Sequence, residues 1–208
     1  EWPVHDRRSF LLAAAALPLA GCMSATPAPS KTLRVATFNI WHDAGDWSAR
    51  LPLLVQSLRD ADADMIALQE VLQDAGKDLP NQAETIAGLL GGYSVHFFAS
   101  EPPGSPKRYG NAILTRLPVI EEAGTRLEPL NDYRTALRVR VSAGDRPVDV
   151  VCTHLAWQAD AGAVRAQQVA DLMGWLPQDG VPLIVMGDFN APLDDEGLAL
   201  LTSFRFAS

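Results

Sequence analysis

From residue 33 onward, short apolar runs of strand type alternate with longer stretches whose apolar residues recur at helical spacing. This is the pattern of a layered α/β domain. Residues 33–40 read as a first strand. Trp47, Leu51, Leu54, Val55 and Leu58 then fall on one face of a helix over 46–60. A second strand at 65–71 follows, and Asn81 with Glu84 three residues later makes a capping-box-like start for a helix that Gly91 and Gly92 stop. The middle of the chain changes character: 93–99, 111–115, 119–127, 134–141 and 147–154 are strand candidates with no helix between them. In the fourth of these, Leu137, Val139 and Val141 alternate with Arg138 and Arg140, so one face is buried and one is wet. Helical spacing returns over 160–176, and a last apolar run at 183–186 leads into Gly187, Asp188, Phe189 and Asn190. With no internal repeat, residues 31–208 read as one domain.

Composition agrees with a packed core. Of 208 residues, 48% are apolar and 20% charged, which excludes disorder, collagen and coiled coil. The net charge of -8 weakens the case for a basic groove that grips nucleic acid by counterion release, but leaves a cation-bridged contact open.

The first thirty residues have a different role. Arg7 and Arg8 precede a short apolar run, and Leu19-Ala-Gly-Cys22 closes it. This is the layout of an export signal, twin-arginine or general secretory, ending in a box that resembles the lipoprotein processing site with Cys22 lipidated. The longest apolar run, 10–20, holds 11 residues, short of the roughly 20 that a bilayer span needs. Residues 1–22 are thus expected to be the signal and 23–30 a flexible tether rich in Ala, Thr, Pro and Ser. The expectation is an exported bacterial lipoprotein, a monomer anchored through its lipid at the periplasmic face of a membrane or at the cell surface. Cys152 is then the one thiol left in the domain, an inert buried group with no disulfide partner. A start at Glu1 rather than Met reads as an incomplete N-terminus.

Chemistry enters through the polar residues that close the apolar runs. Asn39, Glu70, His154, Asp188 and Asn190 all sit at the carboxyl ends of strand candidates. In open α/β sheets that edge is where ligands bind, so residues distant in sequence converge there. Two carboxylates, two amides and an imidazole make a hard-oxygen metal site with a proton carrier beside it. Mg²⁺ or Mn²⁺ suits these donors, whereas zinc wants more His or Cys. Taken singly, each residue has a plainer reading: Glu70 as a solvated turn residue, His154 as a structural histidine, Asp188 and Asn190 as an Asx turn before Pro192. His42 could line the site, and Trp157 and Trp175 read as core or rim aromatics.

Five segments in order, Thr37-Phe-Asn-Ile40, Leu68-Gln-Glu-Val71, Tyr109-Gly-Asn-Ala-Ile-Leu-Thr-Arg116, Val151-Cys-Thr-His-Leu155 and Met186-Gly-Asp-Phe-Asn-Ala191, are similar to motifs of the endonuclease/exonuclease/phosphatase superfamily, the deoxyribonuclease-I-like fold. The resemblance spans 33–192. It implies an α/β (α+β) fold, a four-layer sandwich of two mixed β-sheets flanked by helices, and divalent-metal-dependent hydrolysis of phosphoester bonds. Carried over by motif, it implies that Glu70 binds the metal with Asn39 beside it, holding the metal shell or the phosphate. Asp188 would orient or deprotonate the attacking water, and Asn190 would hold the phosphate or the water. His154 would donate a hydrogen bond or proton to the phosphoryl or leaving oxygen. Arg134, opening its strand, is a supporting candidate for steadying Glu70 or the phosphate.

The family's last catalytic element, a Ser-Asp-His, has no counterpart here, since no histidine follows His154. The domain is therefore expected to be incomplete, with the closing strands of its second sheet missing. Two function classes stay open. One is an exported, Mg²⁺-dependent phosphodiesterase or nuclease-type hydrolase acting on nucleic acid, a phospholipid head group or a small phosphodiester; acidic charge and a membrane tether lean toward the latter two. The other is a noncatalytic surface lipoprotein, or inactive fragment, that keeps the scaffold.

Overall fold

In the computed structural model, residues 32–192 and 194–203 are described. The export signal, Cys22 and the tether at 23–30 lie outside them. Eight strands among the described residues form two mixed sheets of four. The first runs in the order β1 (Val35–Asn39), β2 (Met65–Asp74), β4 (Lys107–Thr115), β3 (Ser94–Ala99), with β1 and β2 parallel and the other pairs antiparallel. The second is β5 (Val119–Arg126), β6 (Thr135–Ala143), β7 (Arg146–His154) and β8 (Leu183–Asp188) in sequence order, with only β7 and β8 parallel.

A hairpin cannot join parallel neighbours. Helix α1 (Trp47–Ala61) accordingly links β1 to β2. Helix α2 (Gln82–Leu90) follows β2, α3 (Gly162–Trp175) links β7 to β8, and a short α4 (Ala199–Ser203) follows β8. The helix starts obey local chemistry: the Asp46 side chain accepts from the Ala49 N–H, and Asn81 accepts from the Ala83 and Glu84 N–H groups.

The core has three parts that stack as helix, sheet, sheet, helix. Ile66 and Leu68 of β2 pack with Leu54, Val55 and Leu58 of α1 and Ile86 of α2. Met65 and Ala67, on the opposite face of the same strand, meet Leu137, Val139, Val150 and Cys152 of the second sheet. Ala136 and Val151 turn outward to Val169 and Leu172 of α3. Both faces of β2 are covered, which is why its sequence is a continuous apolar run rather than an alternation. Polar side chains stitch the two sheets together as well: Asn111 Nδ2 of β4 donates to the Thr135 carbonyl and hydroxyl oxygens of β6, each at 2.9 Å, and Gln69 Nε2 reaches Thr37 Oγ1 and Cys152 Sγ.

Two strands outrun their apolar patterns. β2 continues to Asp74 and β4 begins at Lys107, because their polar ends pair with each other through Leu72 with Tyr109 and Asp74 with Lys107. Backbone ladder bonds need no apolar side chains, so periodicity does not mark these ends.

Candidate active site

The ends of both parallel pairs converge. Asn39 is the last residue of β1, while His154 and Asp188 end β7 and β8 and face each other in register. Glu70 reaches the same place from inside β2, where the pairing with β4 slips between Leu68 and Val71 and Glu70 adopts φ +60°. A bulge of this kind re-aims one side chain out of the pleat. Asn190, two residues past Asp188, is also left-handed at φ +51°.

One hydrogen-bonded cluster results. Asn39 Nδ2 donates to Glu70 Oε1 and to Asp188 Oδ2, each at 2.9 Å. Its own Oδ1 accepts the Trp41 N–H at 2.9 Å, which fixes the amide with its nitrogen between the carboxylates. Asp188 Oδ1 accepts the Asn190 N–H at 3.0 Å. Asn190 Nδ2 donates to the Leu155 carbonyl at 3.1 Å and stands 2.9 Å from His154 Nε2. An amide nitrogen carries only protons, so that ring nitrogen accepts and the imidazole proton lies on Nδ1.

His154 is buried, and burial first, then the Arg134 charge, pulls its pKa down to about 4 against the opposing pull of Asp188 and Glu70. The resting ring is neutral at pH 7. Tyr109, an edge neighbour of the His42 ring, is held protonated by burial and by the nearby Glu70 charge. Glu70 is thus flanked by Asn39, Tyr109 and His42, whose Nε2 lies 3.9 Å from Oε2.

These groups border two neighbouring clefts that share Asn190. The larger, about 730 Å³, is lined by Glu70, Arg134 and His154 among others. The smaller, about 340 Å³, is lined by Asn39 and Asp188. Arg134 donates from Nε to Asp132 Oδ2 at 3.3 Å, so its partner is Asp132 rather than Glu70. Among the described residues, no three His, Cys, Asp or Glu side chains gather into a closed cage of the kind a structural zinc needs. A hard cation of the Mg²⁺ type asks for less, because one or two carboxylates suffice when waters and substrate oxygens fill the shell. Glu70, bordering the cleft, fits that role.

Residues 36–208 match the model of the Endonuclease/Exonuclease/phosphatase family. The chain belongs to that family. The catalytic domain of human Nocturnin, solved with a bound sulfate anion, is 25% identical with a TM-score of 0.63 over 77% of this chain and 64% of that one. ANGEL2, a 2′,3′-cyclic phosphatase in complex with adenosine-2′,3′-vanadate, is 20% identical with a TM-score of 0.60 over 74% and 48%. A family protein from Leptotrichia buccalis is 16% identical with a TM-score of 0.67 over 82% and 72%. The chain therefore spans less than two thirds of the first two structures. No curated protein matches its sequence.

At this site the structure adds Tyr109, Trp41 and Tyr133, which the sequence did not single out, and puts Trp157 at the rim. Tyr109 lay inside a quoted motif but without a role; its signal was a phenol at the polar end of a strand. Trp41, Tyr133 and Trp157 border the larger cleft with more than half of each residue exposed. His42 does line the cleft, whereas His96 pairs with Glu122 at 2.6 Å outside it. Cys152 is fully buried, and burial pushes its thiol up to about 12.

Proposed function

We propose that this chain is a divalent-metal-dependent hydrolase of phosphoester bonds, exported and anchored through a lipid on Cys22. The observation that carries the catalytic reading is the Asn39 amide shared between Glu70 and Asp188, which sets two carboxylates side by side at a cleft without letting them touch. Carboxylates at such spacing need a cation or a donor between them.

In this reading Glu70, steadied by the Asn39 Nδ2 that donates to it, would hold Mg²⁺ or Mn²⁺, which when bound neutralises charge on the phosphoryl oxygens. Asp188, with one oxygen fixed by the Asn190 N–H and the other by Asn39, stays partly open to solvent and orients the attacking water as it accepts its proton. The water oxygen bonds to phosphorus as the ester P–O bond breaks. The Arg134 guanidinium steadies the phosphoryl oxygens, while Asn190, whose amide protons go to His154 and the Leu155 carbonyl, holds the imidazole in place. His154 enters neutral; the negative charge of the incoming phosphate offsets the burial that keeps it so, the ring takes up a proton from solvent, and it passes that proton to the leaving oxygen.

The acidic net charge favours short phosphoesters over a long duplex. The exposed faces of Trp41, Tyr133 and Trp157 offer a resting place for a flat or apolar substrate group. The 2′,3′-cyclic phosphatase activity named for ANGEL2 makes nucleotide phosphoesters a sensible first panel, with phosphocholine release from sphingomyelin and plasmid nicking as contrasts. Each substrate is assayed with Mg²⁺ and with EDTA, in the wild type and in Glu70→Ala. Turnover that EDTA and Glu70→Ala both abolish is the expected result. Turnover indifferent to both, or none on any phosphoester, overturns the reading. The anchor is tested apart from catalysis: a labelled fatty acid is incorporated by the wild type and not by Cys22→Ala.

A further inference from the structure

The core-facing side of α3 carries two polar residues, Arg165 and Gln168, among Val169 and Leu172. Gln168 is completely buried. An amide in such a place is tolerated only when both ends are bonded. Its Oε1 accepts the Ala156 N–H at 2.9 Å, two residues beyond His154, and its Nε2 donates to Asp132 Oδ2 at 2.7 Å. The same Asp132 oxygen accepts Arg134 Nε. That bond engages the back of the guanidinium, and neither Nη has a hydrogen-bond partner among the described residues. Arg134 meanwhile borders the larger cleft together with His154 and Asn190.

A guanidinium held at Nε with both Nη groups open presents the fork that matches two oxygens of one phosphate. An arginine side chain has much rotamer freedom to lose on capturing a ligand, and holding it beforehand removes part of that penalty. The backbone does not supply the hold, because Tyr133, just before it, is an exposed turn residue at φ +57°. We propose that Gln168 is a positioning residue for phosphate capture: from inside α3 its carboxamide holds Asp132, and Asp132 holds the Arg134 fork open toward the cleft. Burial obliges the Gln168 nitrogen to find an acceptor, and the one it takes is Asp132 of the cleft rather than a group of its own layer; that arm links this helix to the site. The inference rests on the phosphoester reading above.

The test is a double-mutant cycle read by calorimetric titration of inorganic phosphate into the full chain, with KM and kcat for bis(p-nitrophenyl) phosphate and Mg²⁺ measured alongside. Gln168→Glu keeps an oxygen for the Ala156 N–H but sets a carboxylate against Asp132. Asp132→Ala, on a partly exposed turn, removes the next link and leaves Gln168 Nε2 without its acceptor, and circular dichroism checks that both variants fold. Each is expected to weaken phosphate about tenfold and to raise KM by a similar factor with kcat little changed. Added to Arg134→Ala, neither causes further loss. Additive losses, or phosphate affinity within about twofold of wild type in both folded variants, overturn the proposal. A wild type that binds phosphate yet hydrolyses no phosphoester sinks the hydrolase reading while the cycle still decides this one. A wild type that binds no phosphate sinks this one.

Discussion

Replacing Gly187 by alanine adds one methyl group between the strands that carry His154 and Asp188. Gly187 pairs with Thr153 across the parallel β7–β8 ladder and adopts φ +155°, a conformation that side chains rarely take. A Cβ there would stand 2.0 Å from the Thr153 carbonyl oxygen and 2.8 Å from its carbon. The obstacle is backbone, so no rotamer change relieves it and the two strands must part. Losing about two ladder bonds at about 1 kcal/mol each, plus about 1–3 kcal/mol for a non-glycine residue in that region, gives about 3–5 kcal/mol. For a chain of this size that lowers Tm by about 10 °C. Gly88, inside α2, is the control: a Cβ there meets nothing within 4 Å, so Gly88→Ala should add about 0.5–1 kcal/mol and raise Tm by about 2–3 °C. Thermal unfolding followed by circular dichroism at pH 7 reads both. A Gly187→Ala chain melting within about 2 °C of wild type would refute the close-approach argument, and a Gly88→Ala chain melting lower would refute the open-space one.

Asn39→Ala removes the donor that Glu70 and Asp188 share; bonds to charged acceptors contribute about 1.5–3 kcal/mol each, so Mg²⁺-dependent turnover should fall about 100-fold, and a rate within about twofold of wild type would contradict the role given to the amide. His154 has a folded-state pKa of about 4 against 6.5 ordinarily, so on acidification the unfolded chain takes up the proton first. The stability that the neutral ring contributes is complete above pH 6.5 and is lost as pH falls through about 4, on the order of 3 kcal/mol in all. Wild type should therefore lose more Tm over that range than His154→Gln, and equal losses would rule the shift out. Cys152, with its thiol pushed up to about 12 by complete burial, should escape iodoacetamide at pH 8 in the folded chain and react once guanidinium unfolds it; mass spectrometry of the folded sample showing alkylation would place it at the surface.

The strand and helix pattern was legible because burial dictates it: period 3.6 marked α1 and α3, and a short apolar run marked β2 as a strand, which the structure covers on both faces. The convergence of Asn39, His154, Asp188 and Asn190 followed from their positions at or just past strand ends, whereas Glu70, expected to close its strand, sits inside β2 and joins them through a bulge; all five fall into one hydrogen-bonded cluster. What periodicity could not supply was direction. It gave no sign that Asn39 would turn its nitrogen, not its oxygen, toward the carboxylates, because that choice is made by the Trp41 N–H two residues on. Nor did it separate Arg134 from Glu70: the partner of a long flexible side chain is set by whatever carboxylate the fold brings near, here Asp132, placed by a turn and by Gln168 from a helix more than thirty residues away.

Glu70 shows why local rules bend at the cleft and not elsewhere. In β2, Met65 and Ala67 face the second sheet while Ile66 and Leu68 face the helices. Strict alternation would send residue 70 after 66 and 68, into the apolar layer against α1 and α2, where an unpaired carboxylate costs far more than a strained backbone. The slip between Leu68 and Val71 resolves this: Gln69 keeps the inter-sheet side and bonds Thr37 and Cys152, Val71 rejoins the helix-facing layer, and Glu70 leaves the pleat for the cleft. A positive φ at a non-glycine residue costs about 1–2 kcal/mol, small beside the alternative. Seven described non-glycine residues have positive φ, and five of them, Trp41, His42, Glu70, Tyr133 and Asn190, border this cleft. Asp62 and Asp78 cap helical turns, as Tyr133 does after the turn 130–132, and there a left-handed residue is routine; the other four all border the cleft. Strain thus gathers where side chains from both sheets must leave their regular directions to meet one another, as the proposed site requires.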